Sequence, residues 1–255
     1  MAIITFVSDY GYSDFYVAAV KAKILNHNPN LLIIDISHNI EHFNLAHGSF
    51  TLKSVYRDFP EGTVHLASVN SAEAGRFIAM KLDGHYFVGP DNGLFSLISD
   101  NQPELTVELP PSPSSTFPSA AVMAEAAAKL AGGESIDKVG SPTTDYVKLI
   151  GRLVKATRKQ ISGNVIRVDH YGNLITNIEK KVFEFLNKDD DYTIVFGRER
   201  FRKINLSYHE TEPGDCFILF NSIGLLEIGI NKGNAGELLG LGYDSPVHIL
   251  FNAEK

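Results

Sequence analysis

The chain has 255 residues, of which 44% are hydrophobic, so it can bury one large core or two smaller ones, and its composition gives no sign of disorder. Its formal net charge of -7 excludes a broad nucleic-acid or anionic-membrane surface, because such surfaces need clustered Lys and Arg. The one cysteine, Cys216, excludes an internal disulfide and a thiolate-based zinc site, and no uninterrupted apolar run is long enough to span a bilayer. We therefore expect a cytoplasmic protein that binds a small molecule, with neither a nucleic-acid nor a membrane partner.

Apolar runs alternate with helical patterns through the first half of the chain. The patterns predict strands at 3–7, 31–36 and 63–69, separated by helices at 13–26 and 44–58, with Ser13 and Asn44 as N-caps. Two short apolar runs, at 77–82 and 86–88, flank Asp83 and Gly84 and predict a hairpin, and a further strand is expected at 105–109. This order is typical of an α/β domain with a largely parallel sheet.

The pattern changes in the second half. The proline and serine residues of 110–118 predict a loop, and 120–131 predicts an alanine-rich helix that ends at Gly132. From about residue 155, short strands and turns predominate, with helices only near 181–186 and 235–239. We therefore predict an N-terminal α/β domain at 1–152 and a C-terminal, mainly β domain at 158–255.

Two polar segments, 8–11 and 169–173, each place a carboxylate, an aromatic residue and a glycine at or near a predicted strand end. A carboxylate accepts hydrogen bonds, an aromatic ring stacks and a glycine allows close backbone approach, so each segment suits a ligand with polar groups and a flat ring. Asp9 lies at the carboxyl end of the first strand, where it either accepts both hydroxyls of a ribose or caps the following turn.

Other polar residues favour structural roles. Ser119 is expected to cap the alanine-rich helix, although the neighbouring amides can also face a ligand, and Asp91 or Asn92 is expected to stabilise a turn. His38 and His47 belong to different local structures, so no metal site is predicted. Walker and dinucleotide fingerprints are absent from the sequence, so no phosphate-bearing cofactor is expected.

Six segments of the chain, in order, resemble motifs of the S-adenosylmethionine (SAM) hydroxide adenosyltransferase family, which includes fluorinases and chlorinases. They are 5–11, 33–40, 62–66, 87–94, 169–178 and 233–235. The resemblance implies an α/β N-terminal domain and a C-terminal β-barrel-like domain. It also implies a homotrimer whose sites lie where the N-terminal domain of one subunit meets the C-terminal domain of its neighbour.

The resemblance also assigns roles to residues. In similar proteins the residue matching Asp9 holds the ribose diol, the aromatic residues matching Phe43 and Phe117 lie beside the sugar, and the residue matching Ser119 lies near C5′. The predicted contacts from the second domain are Asp169 to the methionine amino group, Tyr171 to the adenine face, and Asn173 and Ala235 to the adenine edge, with Ser222 and Asn234 as further substrate-binding residues.

The implied reaction is attack by water or hydroxide at C5′ of SAM, which releases methionine and adenosine and needs no metal or separate cofactor. Water-using members carry an Asp, an Arg and a His that activate the nucleophile. This chain has Asn70 and Pro118 in place of the Asp and the His, and it keeps Arg76. We predict Arg76, Asn70 and Ser119 as the catalytic residues, although neither Asn nor Pro can take a proton.

Three functions follow from this departure. The first is a SAM hydrolase slowed on the order of a hundredfold to ten-thousandfold by the loss of a general base. The second is a binding protein for SAM or adenosine without catalysis. The third is halide-dependent adenosyl transfer, which is disfavoured because the halogenating members' residues after the third strand are not matched by Asn70, Ser71 or 72–75.

Overall fold

The structure is a computed structural model and describes residues 2–72, 74–111, 116–188 and 191–251. Four residues of the predicted loop at 110–118, namely 112–115, lie outside the described part of the chain. The chain divides into two compact units, Met1–Ile150 and Gly151–Lys255. None of the helices in the described residues has both the length and the apolar character that crossing a membrane requires.

The described part of the first unit contains a mixed sheet and four α-helices. In chain order the elements are β1 (Ile3–Ser8), α1 (Tyr16–His27), β2 (Leu32–Ser37), α2 (Leu45–Lys53), β3 (Val64–Ser68), β4 (Phe77–Leu82), β5 (His85–Pro90), β6 (Leu105–Glu108), α3 (Ala124–Ala131), α4 (Ile136–Val139) and β7 (Ser141–Pro142). The described strands lie in the order β2-β1-β3-β5-β4-β6-β7. The pairs β1–β2, β1–β3 and β3–β5 are parallel and the remaining pairs are antiparallel.

Both faces of this sheet are covered, which explains why its central strands are mostly apolar. Ile4 and Phe6 of β1 pack with α1 and α3 in one core, whereas Val7 packs with Leu52 of α2 and with Phe87 of β5 in a second core. The predicted βαβ alternation is therefore confirmed. The β4–β5 hairpin is also confirmed, because Asp83 and Gly84 have φ values of 51° and 78°, as a type I′ turn requires.

Two helix boundaries differ from the prediction. Helix α1 begins at Tyr16 with Phe15 as its N-cap and no side-chain cap, so the prediction of Ser13 as N-cap was wrong. The reason is that Gly11 adopts a φ of 67° and residues 12–15 form a bend before the helix starts. Asn44 does cap α2, since its side chain accepts the amide of His47 at 3.0 Å.

Helix α2 is shorter than predicted and ends at Lys53, and a separate 3₁₀ turn covers Tyr56–Asp58. Ser54 donates its hydroxyl to the carbonyl of Phe50 at 2.7 Å. Such a bond to the residue four positions earlier competes with the helix, and Val55 leaves helical geometry with a φ of -132°.

The second unit is mainly β, as predicted, and its described strands are antiparallel and lie in the order β12-β11-β15-β9-β10-β14-β13, with β8 paired to β9. Strand β9 is long and pairs first with β15 and then with β10, which makes the sheet curl like half a barrel around one core. The elements are β8 (Lys155–Ala156), β9 (Gln160–Val168), β10 (Leu174–Glu179), α5 (Lys180–Leu186), β11 (Tyr192–Phe196), β12 (Glu199–Phe201), β13 (Cys216–Phe220), β14 (Leu225–Ile230), α6 (Ala235–Leu239) and β15 (Pro246–Phe251).

Candidate functional site

Asp9 follows β1 at the carboxyl edge of the first unit's sheet and is buried. Its Oδ2 accepts the backbone amide of Phe43 at 3.0 Å and that of Asn70 at 3.1 Å. Among the described residues, no hydrogen bond uses Oδ1. The carboxylate therefore joins the loops that follow β2 and β3 rather than capping its own turn.

Both residues that donate to Asp9 have left-handed backbones, with φ values of 63° for Phe43 and 49° for Asn70. This region is uncommon outside glycine, and such conformations cluster at functional sites because the surrounding structure enforces them. The ring of Phe43 is exposed.

A cluster of four hydroxyl groups, which we call the hydroxyl cluster, includes Tyr10, the residue after Asp9, and consists of Tyr10, Ser68, Ser71 and Ser119. The phenol oxygen of Tyr10 lies 2.6 Å from Oγ of Ser68, 3.1 Å from Oγ of Ser71 and 2.5 Å from Oγ of Ser119. Oγ of Ser119 is also 2.5 Å from that of Ser68 and 3.3 Å from that of Ser71. Residues from three separate chain segments thus meet at one point.

Ser119 is fully buried and does not cap the alanine-rich helix, so that prediction was wrong. It is the first residue of a π-helical turn, Ser119–Met123, that leads into α3, and its hydroxyl is bonded to Tyr10 and Ser68 instead. Single π-helical turns are frequent at functional sites. Phe117 lies just before this turn, and its ring packs edge-on against Tyr10 and Tyr16 at centroid distances of 5.7 and 5.3 Å.

Arg76 forms ion pairs with neighbouring carboxylates. Its Nε lies 2.5 Å from Oδ2 of Asp91, and its terminal nitrogens bond the side chain and the carbonyl of Asp145 at 3.2 and 2.7 Å. Asp91 also accepts the amide of Val147 at 2.8 Å, and Asn92 donates to the carbonyl of Val69 at 2.9 Å. The predicted structural turn is therefore confirmed, whereas the contacts of Arg76 give its predicted catalytic role no support.

His38 belongs to a buried chain of polar contacts behind β1. Its Nδ1 lies 2.6 Å from Oγ of Ser8, and its Nε2 lies 3.2 Å from Oδ1 of Asp35, whose Oδ2 is 2.6 Å from Nζ of Lys21. Burial lowers the pKa of His38. His47 instead accepts the amide of Glu41 at 3.1 Å. Within the described ranges, no three potential metal ligands converge.

In the second unit, Asp169 organises the loop between β9 and β10. Its Oδ1 accepts the amides of Tyr171 and Asn173, both at 2.9 Å, and its Oδ2 accepts the side-chain amide of Asn173 at 3.1 Å. Asn173 is buried by this arrangement, whereas the ring of Tyr171 is 77% exposed and free to stack.

The same loop packs on the start of α6, which brings five of the predicted binding residues together within the second unit. Gly172 has a φ of 84°, its carbonyl accepts the amide of Gly236 at 2.9 Å, and a Cβ at Gly172 would collide with Asn234. Asn234 is the N-cap of α6, where its side chain accepts the amide of Glu237, and Ala235 is fully buried. The residues assembled here are Asp169, Tyr171, Asn173, Asn234 and Ala235.

Ser222 lies apart from that group, in the exposed turn between β13 and β14. The preceding residue, Asn221, donates its side-chain amide to Glu227 at 3.1 Å. Glu227 is almost fully buried, and it also accepts the hydroxyl of Tyr208 at 3.3 Å. Burial raises the pKa of Glu227, and the charge of Asp169 raises it further. Sequence reasoning missed this glutamate because nothing in its local pattern distinguishes it from a surface residue of a strand.

Comparison with known proteins gives matches over both units. Residues 4–140 match the family described as SAM hydroxide adenosyltransferase N-terminal domain, and residues 163–248 match the corresponding C-terminal domain. A protein of Methanocaldococcus jannaschii named (R)-S-adenosyl-L-methionine hydrolase is 34% identical over 98% of this chain and 96% of its own length. A Thermus thermophilus protein of the same name is 31% identical over 98% of this chain and 100% of its own length. A fluorinase of an Actinoplanes species is 28% identical over 71% of this chain and 73% of its own.

Solved structures show the same fold. A conserved protein from Thermotoga maritima matches with a TM-score of 0.89 and 31% identity, over 97% of this chain and 99% of its own. A conserved protein from Thermus thermophilus matches with a TM-score of 0.79 and 31% identity, over 98% of this chain and 100% of its own.

Proposed function

Because this chain belongs to the SAM hydroxide adenosyltransferase family, we propose that it cleaves SAM with water at C5′ and releases adenosine and methionine. The observation that carries the proposal is the state of Asp9, whose Oδ2 is committed to two backbone amides while Oδ1 has no hydrogen bond among the described residues. A fixed carboxylate with one available oxygen is suited to the vicinal diol of a ribose, which offers two donors.

The first unit would hold the sugar. Phe43 and Phe117 supply aromatic surface on loops next to Asp9, and Ser119 supplies a buried hydroxyl for the region around C5′. Asn70 contributes through its backbone, since its amide donates to Asp9. Arg76 stabilises the neighbouring loops through Asp91 and Asp145 in this proposal, rather than acting on the nucleophile.

The second unit would hold the adenine and the methionine. Asp169 brings a negative charge that complements the amino group of methionine, and the exposed ring of Tyr171 offers a stacking surface for adenine. Asn173 and the start of α6 at Asn234 and Ala235 supply amide groups for the adenine edge. Ser222 joins the proposal on the resemblance alone.

The chemistry asks little of the protein, because the sulfonium of SAM is already a good leaving group. The enzyme has to align water, C5′ and sulfur, and to exclude competing water, and it has to accept a proton. The buried hydroxyls around Ser119 meet the first two needs. Asn70 and Pro118 replace the family's Asp and His, so the residues that accept the proton elsewhere in the family are missing and slow turnover is expected.

Two further features belong to the proposal. The active form is a homotrimer whose sites combine residues of two subunits, which the exposed rings of Phe43 and Tyr171 in the single chain support. The protein works in the cytoplasm, where its single cysteine is in keeping with a reducing environment.

The test is to incubate the purified protein with SAM and to measure adenosine and methionine by liquid chromatography. The variant Asp9→Asn keeps the shape of the side chain and removes its charge, and Asp14→Asn is the matched control because Asp14 is exposed on the following bend. We expect equal amounts of both products from the wild type and from Asp14→Asn, and a large loss in Asp9→Asn.

The presence of Asn70 and Pro118 in place of the family's water-activating Asp and His favours one second candidate, a SAM-binding protein without catalysis. Calorimetry in the same experiment separates the two. Tight binding of SAM by the wild type without either product would establish the second candidate, and product formation that depends on added halide would point to adenosyl transfer instead.

A further inference from the structure

The hydroxyl cluster contains a tyrosine, Tyr10, for which the sequence suggested only a stacking ring and whose phenol oxygen has no role assigned by the motifs or the family match. Tyr10 follows the ribose anchor Asp9 directly, and its phenol oxygen lies within hydrogen-bond distance of Ser68, Ser71 and Ser119. It is the only member of the cluster in contact with all the others at 3.1 Å or less, so it is the centre of the group.

Packing fixes the position of this phenol oxygen. The ring of Tyr10 lies 5.6 Å from that of Tyr16 and 5.7 Å from that of Phe117, in tilted and edge-on arrangements. Ser68 and Ser119, on its oxygen side, are fully buried. A side chain held by rings along its length and by hydroxyls at its end is preorganised, and it loses little freedom when a ligand arrives.

The cluster has more pairs of oxygens within hydrogen-bond distance than it has hydroxyl hydrogens to donate. Four hydroxyl groups supply four hydrogens, whereas five pairs of oxygens lie within hydrogen-bond distance. At least one pair therefore meets with lone pairs only, which leaves the group rich in acceptors. A water molecule, with two O–H bonds to donate, is the kind of partner that such a group binds.

The cluster is also tied to the ribose anchor. Ser71 follows Asn70, whose amide is bonded to Asp9, so one short loop sets the distance between the carboxylate and the cluster. A sugar held by Asp9 would consequently present its C5′ side at a fixed distance from the phenol of Tyr10.

We propose that Tyr10 is a catalytic residue whose phenol oxygen, with the hydroxyls of Ser71 and Ser119, binds and orients the attacking water in place of the missing Asp and His. This inference rests on the proposed hydrolysis of SAM. It names a residue that the family's water-activating set does not contain.

The step balances without a charged base. The water oxygen bonds to C5′ while the bond from C5′ to sulfur breaks, and the electron pair of that bond remains on sulfur, which becomes the neutral thioether of methionine. One proton of the water passes to the phenol oxygen of Tyr10, which passes its own proton through the cluster to bulk water. The products are adenosine, methionine and one proton, and no group is oxidised or reduced.

The variant Tyr10→Phe tests the inference, because it removes one oxygen and keeps the ring. The matched control is Tyr86→Phe, which also removes one phenol oxygen. Tyr86 lies near the start of β5, whereas the site lies at the carboxyl edge of the sheet, where Asp91 follows the end of the same strand. For each purified protein we measure kcat by product formation, the Kd of SAM by calorimetry and the melting temperature. We expect kcat to fall by at least about tenfold in Tyr10→Phe while Kd stays within about twofold, because orientation of water is needed only during the reaction.

Ser71→Ala is the second variant, should Tyr10→Phe fail to fold, and it should give the same separation of kcat from Kd with a smaller loss. An unchanged kcat in Tyr10→Phe, with an active wild type, would overturn this inference and leave the proposed hydrolysis intact. A loss of kcat matched by an equal weakening of Kd would mean that Tyr10 only shapes the pocket, which also overturns it. A wild type that binds SAM and forms no product would overturn the proposed function, and the role of Tyr10 with it.

Discussion

Oδ2 of Asp9 accepts the backbone amide of Phe43 at 3.0 Å, and Phe43 has a φ of 63°. A left-handed backbone costs a residue with a side chain about 1–2 kcal/mol, so this bond is formed against a local preference. The strain places an exposed aromatic ring next to the proposed ribose anchor. Stability and binding should therefore respond in opposite directions when Phe43 is replaced.

We expect Phe43→Gly to raise the free energy of unfolding by about 0.5–1 kcal/mol, because glycine adopts positive φ without the steric penalty. The same change should weaken the binding of SAM, since it removes the ring that we propose to lie beside the sugar. Urea unfolding and calorimetry measure the two effects.

Lys232→Gly is the control for Phe43→Gly, because Lys232 is exposed and has a φ of 58°. It should give a comparable gain in stability with no change in the Kd of SAM. An unchanged Kd in Phe43→Gly would remove Phe43 from the binding site.

The loop of Asp169 makes a second, independent prediction. Gly172→Ala should destabilise the protein and weaken the binding of SAM, because an added Cβ collides with Asn234 and would push the Asp169 loop off α6. Gly214→Ala is matched in backbone strain, with a φ of 94° against 84°, but a Cβ there meets no atom within 4 Å.

The difference between these two variants isolates the contact with Asn234 from the strain. We expect Gly172→Ala to lose more stability than Gly214→Ala, as measured by urea unfolding, and to be alone in losing affinity for SAM. Equal losses of stability and affinity in both variants would show that the packing of the Asp169 loop on α6 has no effect on the binding of SAM.

Much of the fold could be predicted because the local patterns agree with the final contacts. The central strands of the first unit are mostly apolar because both faces of the sheet are buried, and the turn at Asp83 and Gly84 is coded by its own residues. The hydroxyl cluster could not be predicted in this way. Ser68, Ser71 and Ser119 have no shared local signal. The register of β1 beside β3, with Ser8 opposite Ser68, brings Ser68 near Tyr10, and the turn before α3 brings Ser119 there.

Sequence position alone also does not reveal side-chain partners that are distant in the chain. Ser119 looks like a helix cap because it precedes an alanine-rich run, and Arg76 matches a catalytic position of the family. In the structure, the hydroxyl of Ser119 is hydrogen-bonded to Tyr10. The guanidinium of Arg76 is hydrogen-bonded to Asp91 and Asp145. Asp91 and Asp145 lie on loops, which no periodic pattern locates.

A pair of buried histidines makes stability depend on pH. His65 lies within 2.7 Å of Oγ1 of Thr5 and 3.2 Å of His85, and burial together with the neighbouring His85 lowers its pKa to about 3. Burial lowers the pKa of His85 as well. In the unfolded chain a histidine has a pKa of about 6.5, so between that pH and about pH 3 the unfolded state binds more protons than the folded state.

The contribution of His65 to the free energy of unfolding should therefore be fully present above pH 6.5. It should fall as the pH decreases, by up to about 1.4 kcal/mol per pH unit for His65 alone. Urea unfolding between pH 4.5 and 7.5 measures the slope. His65→Gln keeps a polar partner for Thr5 and should flatten the slope, whereas His209→Gln, at an exposed position, should not. A slope that is equal in the wild type and His65→Gln would contradict the assignment.

The last prediction restores what the family has and this chain lacks. The double variant Asn70→Asp, Pro118→His places a carboxylate and an imidazole at the two positions where water-using members carry them, directly before Ser71 and Ser119 of the hydroxyl cluster. Asn and Asp both tolerate the left-handed backbone of residue 70, and the φ of -60° at Pro118 is open to histidine, so both changes fit the existing backbone. We expect kcat to rise, by up to about a hundredfold if a general base is what limits the wild type, and to acquire a decline below about pH 6.5 as the introduced imidazole becomes protonated. The single variants serve as controls, since neither supplies the pair. If the double variant folds, binds SAM and shows the kcat of the wild type at every pH, then the release of a proton does not limit this enzyme, and the hydroxyls around Tyr10 already meet the need that Asp and His meet elsewhere in the family.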